Sequence, residues 1–406
     1  MIRRLTYLAA GVVAAVMAAS ICQPVRAEDM TGVTATEIKI GHTNPYSGPA
    51  SSYSALGRLQ QAYFNKMVNE QGGVAGHKIN FISYDDAYSP PKTVEQIRRL
   101  VEEDGVAFTF NTLGTPTNSA IQRYMNQHKV PQLFVATGAN KWGDYKHFPW
   151  TIGWQPSYRT EAQIYAKYLL QQKPNAKLAI LYQNDDFGKD YTAGVKDILG
   201  DRYSKMVVEA TYETTDPTVD SQIAQLQASG ADALLVAAIP KFAAQAIRKV
   251  HDLGWKPLFF MSNVSVSVGA VITPAGPENA VGMLTGTYLK DPTDPQWNND
   301  PGMKEWRAFM NKYLPGADQT DGNYIAAYAV SDTMLKVLKM CNGNFSRENV
   351  MKTATNLHDL DNPLLLPGIK INTSPTNYHP ITAMRLARWN GKTWELFGQL
   401  IGGSAL

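Results

Sequence analysis

Short strand-like runs alternate with amphipathic helical stretches along most of this 406-residue chain. Residues 37–43 and 78–85 are rich in β-branched and apolar residues, whereas residues 55–70 between them carry apolar side chains at helical spacing. The alternation continues to residue 136 and restarts after residues 151–155. Because a strand–helix–strand order places strands parallel with helices on both faces, the sequence predicts an α/β protein. Two such sets predict two doubly wound parallel-sheet lobes with a cleft between them.

Composition and charge exclude several classes of protein. Hydrophobic residues make up 44% of the chain and charged residues 18%, which suits a globular protein of about two domains better than a disordered one. The formal net charge is +3, but three arginines lie within the first 27 residues and the remainder is neutral. A neutral chain lacks the positive surface that nucleic-acid binding requires, so we expect no nucleic-acid partner.

The first 27 residues have the features of a secretory signal peptide. Two arginines form a positive segment near the start, residues 5–21 are apolar, and residues 25–27 offer small side chains where signal peptidase cuts. We therefore predict a signal peptide over residues 1–27, cleavage after Ala27 and a periplasmic location. A membrane anchor is the alternative, but the apolar stretch is short and is diluted by Ala and Gly.

Motifs for catalysis or cofactor binding are absent from the sequence. The seven histidines are scattered, and none falls in a helical metal-binding spacing. Neither a phosphate-binding glycine loop nor a nucleophile elbow occurs. Cys341, the one cysteine that remains after cleavage, ends an apolar helical pattern, which favours a buried and inert thiol. We therefore expect no metal, no cofactor and no catalytic residue.

Five loops that follow predicted strands are rich in small, hydroxyl and aromatic residues. Because the carboxyl ends of parallel strands meet at one edge of a sheet, we expect these loops around the cleft. Small residues expose backbone N–H groups, which together with hydroxyls can hold a carboxylate. Aromatic side chains such as Tyr53 and Phe187 can enclose an apolar or planar ligand. The loops cover residues 44–53, 113–118, 136–140, 183–188 and 262–265.

With these loops the chain resembles the periplasmic solute-binding proteins of ABC importers, in the branched-chain amino acid (Leu/Ile/Val) binding family. The resemblance covers residues 28–406 and is carried by residues 47–50, by the Asn-Glu-Gln-Gly-Gly-Val-Ala-Gly turn at residues 69–76 and by residues 182–189. It implies the family's type I fold, with two α/β lobes joined by three crossovers and a hinge that closes on the ligand. The implied division of the chain is residues 28–152 plus 284–377 for lobe one and residues 153–283 plus 378–406 for lobe two.

The resemblance also implies which residues contact the ligand. Tyr53 matches the aromatic residue that covers the ligand from lobe one, and Phe187 matches the one that closes from lobe two. The loop at Gly114 supplies N–H and hydroxyl groups to a carboxylate, and residues 138–140 match a second contact loop of small residues. The predicted ligand contacts are Tyr53, Gly114, Thr115, Gly138, Ala139, Asn140, Phe187, Asn263 and Asn323.

Two departures from the family pattern bear on the ligand. Family members that bind amino acids hold the ammonium with an acid after the last strand of lobe two, but residues 261–265 contain no Asp or Glu. Asn323 also stands where an aromatic residue is common. Because an ammonium without a carboxylate partner is costly in a closed cleft, we expect the ligand to lack one. The predicted solute is branched-chain amino acid-like, or is a small aromatic or other organic acid or an amide.

The function that the resemblance implies is capture of a small molecule for the membrane permease of an ABC importer, by a monomeric protein that does not alter its ligand. A periplasmic sensor for amides or related small molecules is the alternative. An exported hydrolase on an α/β scaffold is a third class, which the absence of a nucleophile elbow and of a metal cluster in the sequence disfavours.

Overall fold

The computed structural model describes residues 29–402. Two sheets form the centres of two lobes with helices packed on their faces, which confirms the predicted α/β fold. The predicted signal peptide, residues 1–27, lies outside the described residues. Within residues 29–402, each helix is too short or too polar to reach across a bilayer.

The first sheet has five parallel strands, which alternate with helices along the chain. In chain order the elements are β1 (Glu37–Asn44), α1 (Ser54–Ala62), β2 (Lys78–Asp85), α2 (Pro90–Arg98), β3 (Phe108–Phe110), α3 (Thr115–Gln127), β4 (Gln132–Val135) and β5 (Thr151–Gly153). The order across the sheet is β2-β1-β3-β4-β5, so the winding reverses direction beside β1. Ile38 and Ile40 of β1 are fully buried, because the strand lies inside the sheet beneath its helices. The short strand β5 lies where the sequence had suggested a connection.

The second sheet has seven strands, and the chain from residue 158 onward supplies helices to both lobes. In chain order the elements are α4 (Tyr158–Gln172), β6 (Leu178–Gln183), α5 (Asp186–Leu199), α6 (Tyr203–Met206), β7 (Val207–Tyr212), α7 (Asp220–Ala228), β8 (Ala233–Ala237), α8 (Pro240–Asp252), β9 (Leu258–Met261), α9 (Thr273–Ala275), β10 (Leu284–Thr287), α10 (Pro301–Tyr313), α11 (Asn323–Met340), α12 (Arg347–Ala354), β11 (Ala383–Trp389) and β12 (Trp394–Gly402). The order across the sheet is β12-β11-β10-β9-β8-β6-β7. Asn390-Gly391, a dipeptide typical of hairpin turns, lies between the antiparallel strands β11 and β12.

The strand β10 bears on where the chain changes lobes. The sequence-based division placed residues 284–377 in lobe one, but β10 (Leu284–Thr287) pairs with β9 and β11 in the second sheet. The helix α11 packs against α1 and so belongs with the first sheet. We therefore place this crossover after Thr287 instead of before residue 284, and the remaining lobe boundaries stay predictions.

The helix α12 was missed by the sequence analysis, and it is anchored by a buried arginine. Arg347 is 6% exposed, and its Nε and Nη2 donate to the carbonyl oxygens of Ala107 and Val106 at 2.8 and 2.9 Å. Its Nη1 lies 3.0 Å from the Asp29 carboxylate. A buried guanidinium needs such partners for each edge of its planar group, and here they tie α12 to the segment that enters β3.

Replacing Arg347 with methionine is expected to lower the free energy of unfolding by about 2 kcal/mol or more, because two charge-assisted hydrogen bonds to buried carbonyls are lost. Urea denaturation followed by circular dichroism measures this change. The matched control is Lys370→Met, which removes an exposed ion pair with Asp361 and should barely move the unfolding midpoint. Equal losses in the two variants would contradict the role of Arg347 as a buried anchor.

Candidate ligand-binding site

A cleft with about 980 Å³ of empty space, including open solvent at its mouth, lies between the two lobes. The cleft is walled in part by loops that follow the carboxyl ends of strands in both sheets, which is where ligands bind in open α/β folds. Six of the nine predicted ligand contacts line it, and their contact with a ligand stays a prediction. They are Tyr53, Gly114, Thr115, Phe187, Asn263 and Asn323.

On the lobe-one side, the helix α3 begins at the wall of the cleft. Gly114 precedes the helix with φ +102°, a conformation that favours glycine. A Cβ at this position would lie 2.6 Å from Thr117 Oγ1 and from a ring carbon of Tyr88, so a side chain would also clash. Because the first-turn amides of a helix have no acceptor within the helix, this end can hold a carboxylate or carbonyl oxygen of a ligand.

Aromatic rings make up much of the remaining wall. Phe187 and Tyr158 contact each other with ring centroids 4.8 Å apart and an interplanar angle of 59°. Phe187 is held at the start of α5 because the Asp185 carboxylate accepts a 2.9 Å hydrogen bond from its backbone N–H. Burial raises the pKa of Asp185 to about 6. The aromatic residues that line the cleft are Tyr53, Tyr88, Tyr158, Phe187 and Tyr288.

Hydrogen bonds and an ion pair cross from one lobe to the other, so the lobes are closed. The Tyr53 hydroxyl donates to the carbonyl oxygen of Val264 at 2.9 Å. Lys141 Nζ lies 3.2 Å from Asp186 Oδ2. Tyr53 therefore both lines the cleft and fastens the first lobe to the second.

The predicted contacts Gly138, Ala139 and Asn140 do not line the cleft. They follow β4 at the junction of the lobes, where the Asn140 backbone N–H donates to Asp190 Oδ2 at 2.6 Å. The Gly138 carbonyl accepts a 2.8 Å bond from the Tyr158 backbone N–H. This loop therefore supports the closed arrangement and the position of Tyr158, instead of reaching into the empty space.

Sequence reasoning missed Glu161, a carboxyl group that lies directly behind Asn263. Glu161 on α4 is fully buried, and it accepts 2.8 Å hydrogen bonds from the Tyr191 hydroxyl and from the Asn263 backbone N–H. The Tyr165 hydroxyl and Asn263 Nδ2 also donate to it. Burial raises the pKa of Glu161 to about 7. Glu161 lies four residues before Tyr165 on the same face of α4, and this spacing is the feature of the sequence that could have indicated that Glu161 is buried.

Two charged side chains among the described residues of the cleft wall were also missed, and both have partners in the protein. Lys290 Nζ lies 2.7 Å from Asp300 Oδ2 and 2.7 Å from the Pro363 carbonyl oxygen. Asp291 Oδ1 accepts a 2.8 Å bond from the Thr293 backbone N–H and another from its hydroxyl. Burial raises the pKa of Asp291 to about 6. Lys290 is therefore neutralised by an ion pair, whereas the donors on Asp291 Oδ1 are uncharged and leave the charge of its ionised carboxyl group unpaired.

Metal binding finds no support in this part of the chain. Within residues 29–402, no cluster of His, Cys, Asp and Glu is arranged to hold a metal ion. Cys341 is buried and unpaired, and burial raises the pKa of its thiol, which disfavours the reactive thiolate.

Replacing Tyr53 with phenylalanine is expected to favour the open arrangement of the lobes, because the hydrogen bond to Val264 is lost. A net hydrogen bond of about 1 kcal/mol corresponds to about a fivefold change in the ratio of closed to open molecules. Small-angle X-ray scattering should show a larger radius of gyration. Tyr46→Phe is the control, because the Tyr46 hydroxyl bonds Ser83 and so acts within lobe one. A similar expansion in both variants would argue against the bridging role.

Glu161 should make stability depend on pH in a defined direction. Its pKa rises from the ordinary glutamate value of 4.5 to about 7 in the folded chain, so between these values the folded state holds a proton that the unfolded state releases. The free energy of unfolding therefore falls as the pH rises through this window, by up to about 3 kcal/mol.

Urea denaturation at pH 5 and pH 8 measures this effect as the difference between the wild type and Glu161→Gln. The variant keeps the other buried carboxyl groups, including Asp185 and Asp190, and should lose less stability than the wild type between the two pH values. Identical pH dependence in the two proteins would show that folding does not raise the pKa of Glu161.

Comparison with known proteins places these features in a family. The sequence profile described as periplasmic binding protein matches residues 37–393. The Leu/Ile/Val-binding protein of Escherichia coli (strain K12) is 23% identical over 326 residues, which cover 74% of this chain and 86% of that protein.

Solved structures agree with the observed fold. A branched chain amino acid ABC transporter protein from Thermus thermophilus with bound valine has a TM-score of 0.80 at 15% identity, covering 92% of this chain and 98% of its own. The fatty acid ABC transporter substrate-binding protein from Thermomonospora curvata has a TM-score of 0.78 at 22% identity, covering 93% and 95%. The resemblance seen in the sequence is thus confirmed: the chain belongs to the periplasmic binding protein family, which consists of solute-binding proteins.

Proposed function

We propose that this protein captures a small organic acid or amide in the periplasm and delivers it to the membrane permease of an ABC importer. The observation that carries the proposal is the cleft itself. It lies at the carboxyl ends of the strands in both sheets and is closed by contacts such as the hydrogen bond from Tyr53 to Val264. A ligand that contacts both lobes would favour closure, and the closed form gives a permease a shape to recognise. The similarity to a Leu/Ile/Val-binding protein supports the same role.

The chemistry of the cleft wall supports a ligand without an α-ammonium. Backbone N–H groups at the N-terminus of α3 can donate to a carboxylate or carbonyl oxygen, and the aromatic rings can pack against an apolar or planar part of the ligand. A buried ammonium needs a carboxylate partner, and Glu161 is saturated by protein donors behind the wall. The carboxyl group that remains in the wall is Asp291, where Thr293 occupies Oδ1, and a ligand with an ammonium would have to pair with this one group. An organic acid or amide meets no such requirement.

Export, assembly and the absence of catalysis complete the proposal. Residues 1–27 act as a signal peptide cleaved after Ala27, and the mature protein works as a monomer. The ligand leaves chemically unchanged, which agrees with the lack of a catalytic motif in the sequence. Co-purification with a permease rather than with a sensor kinase would separate import from the alternative role of an amide sensor.

Isothermal titration calorimetry with matched ligands tests the ligand class. The panel contains 4-methylpentanoate, 4-methylpentanamide and benzoate on one side, and L-leucine and L-valine on the other. We expect at least one acid or amide to bind at least about tenfold more tightly than both amino acids, because the ammonium would lose its hydration without a free counter-ion.

Tight binding of leucine or valine, with no response to the acids and the amide, would overturn the proposed ligand class. In that event Asp291→Asn shows whether the carboxylate in the wall holds the ammonium, because the substitution should then abolish amino-acid binding. Conversion of any ligand during the titration would overturn the transport role.

A further inference from the structure

The side chain of Asn263 is held from behind by a single carboxyl group. Asn263 lies in the loop after β9 and lines the cleft, and its backbone N–H donates to Glu161 Oε1 at 2.8 Å. Its side-chain Nδ2 donates to the other oxygen, Oε2. The two oxygens of one carboxyl group therefore engage both the backbone and the side chain of the same residue.

This arrangement determines which end of the Asn263 amide faces the ligand. Above the pKa of Glu161, which burial raises to about 7, the ionised carboxylate only accepts hydrogen bonds, so the amide edge that meets it must be the NH₂ group. The remaining positions on Glu161 are filled by the hydroxyls of Tyr165 and Tyr191. Because Glu161 and both tyrosines are buried and Asn263 covers them from the cleft, turning the amide over would place an amide oxygen against a carboxylate oxygen.

The amide oxygen is then the polar atom that Asn263 has left for a ligand. Within residues 29–402, Asn263 Oδ1 accepts no hydrogen bond, and it is not shielded from the cleft as the fully buried unpartnered atoms are. It belongs to the lobe-two wall, whereas the start of α3, where the backbone N–H groups of Thr115 and Thr117 have no acceptor within the helix, belongs to lobe one. The cleft therefore offers donors from one lobe and an acceptor from the other.

We propose that Glu161 is a positioning residue that fixes Asn263 as a hydrogen-bond acceptor, so that the cleft selects solutes with an uncharged donor, a hydroxyl or an amide N–H, beside their carboxylate or carbonyl group. This inference rests on the proposed capture of an organic acid or amide and narrows that class. A 2-hydroxy acid fits the arrangement, whereas the corresponding 2-oxo acid would place its carbonyl oxygen against Oδ1.

Calorimetry at pH 8.5 with two matched pairs of ligands tests the proposal. The pairs are 2-hydroxy-4-methylpentanoate with 4-methyl-2-oxopentanoate, and mandelate with phenylglyoxylate. For at least one pair we expect the hydroxy acid to have a Kd at least about tenfold below that of the oxo acid, because the latter leaves a buried acceptor facing an acceptor.

The variant Glu161→Gln should change this preference by a specific route. A glutamine oxygen can still accept from the Asn263 backbone N–H, but its NH₂ group would then face Asn263 Nδ2, and two donors cannot bond each other. The Asn263 amide is expected to turn over and to present Nδ2 to the cleft. The ratio of the two Kd values should fall to about one or reverse, a change of about tenfold or more.

Two further variants separate positioning from general loss of structure. Asp332→Asn is the matched acid-to-amide control on α11, where the carboxylate pairs with Lys336 outside the cleft wall, and it should leave the ratio as in the wild type. Asn263→Leu removes the amide itself and should abolish the preference even if Glu161→Gln fails to fold. Thermal unfolding reports which variants are folded.

The outcomes distinguish this inference from the proposed function. If 4-methylpentanoate binds but neither pair shows a preference for the hydroxy acid, or if the preference survives in Glu161→Gln or Asn263→Leu, the positioning role of Glu161 is overturned and capture of acids stands. If none of the acids or amides binds while an amino acid does, both the inference and the proposed ligand class are overturned.

Discussion

When the two lobes close over the cleft, polar side chains at the carboxyl ends of the strands are removed from water. Most features of the site follow from the need to give these side chains hydrogen-bond or ion-pair partners. An unpaired buried donor or acceptor costs about 1–3 kcal/mol, and an unpaired charge costs more. The closed cleft meets this requirement internally: Lys290 is paired with Asp300, Asp291 with Thr293, and Glu161 with donors from α4, α5 and the loop after β9. Apart from the Asp291 carboxyl group, whose partners are uncharged, the described groups left for a solute are neutral or are backbone dipoles.

The fold alone does not decide the solute. Structures with the same architecture include one with bound valine and one described as binding fatty acids, so the two-lobed scaffold serves ligands of different charge and length. Which solute is bound depends on a few residues that line the cleft. In this chain those positions combine aromatic rings, the start of α3 and the carbonyl of Asn263, whose orientation depends on Glu161.

The sequence predicted most of the fold because apolar periodicity reports which faces of helices and strands are buried. It placed most of the strands and the loops around the cleft, although β5 lies where a connection was expected. It missed α12, since this polar helix depends on tertiary contacts of Arg347. It also missed Glu161, because the carboxyl group and Asn263 are 102 residues apart and only the folded chain brings them together. The loop at residues 138–140 was expected in the cleft, but its hydrogen bonds to Asp190 and to the Tyr158 backbone hold it at the junction of the lobes.

Native mass spectrometry of the protein purified from its own host tests the central claim most directly, because a closed cleft retains its solute during gentle isolation. We predict one bound molecule per chain, whose mass and fragmentation identify an organic acid or amide without a primary amine. A bound α-amino acid such as leucine or valine would contradict this claim.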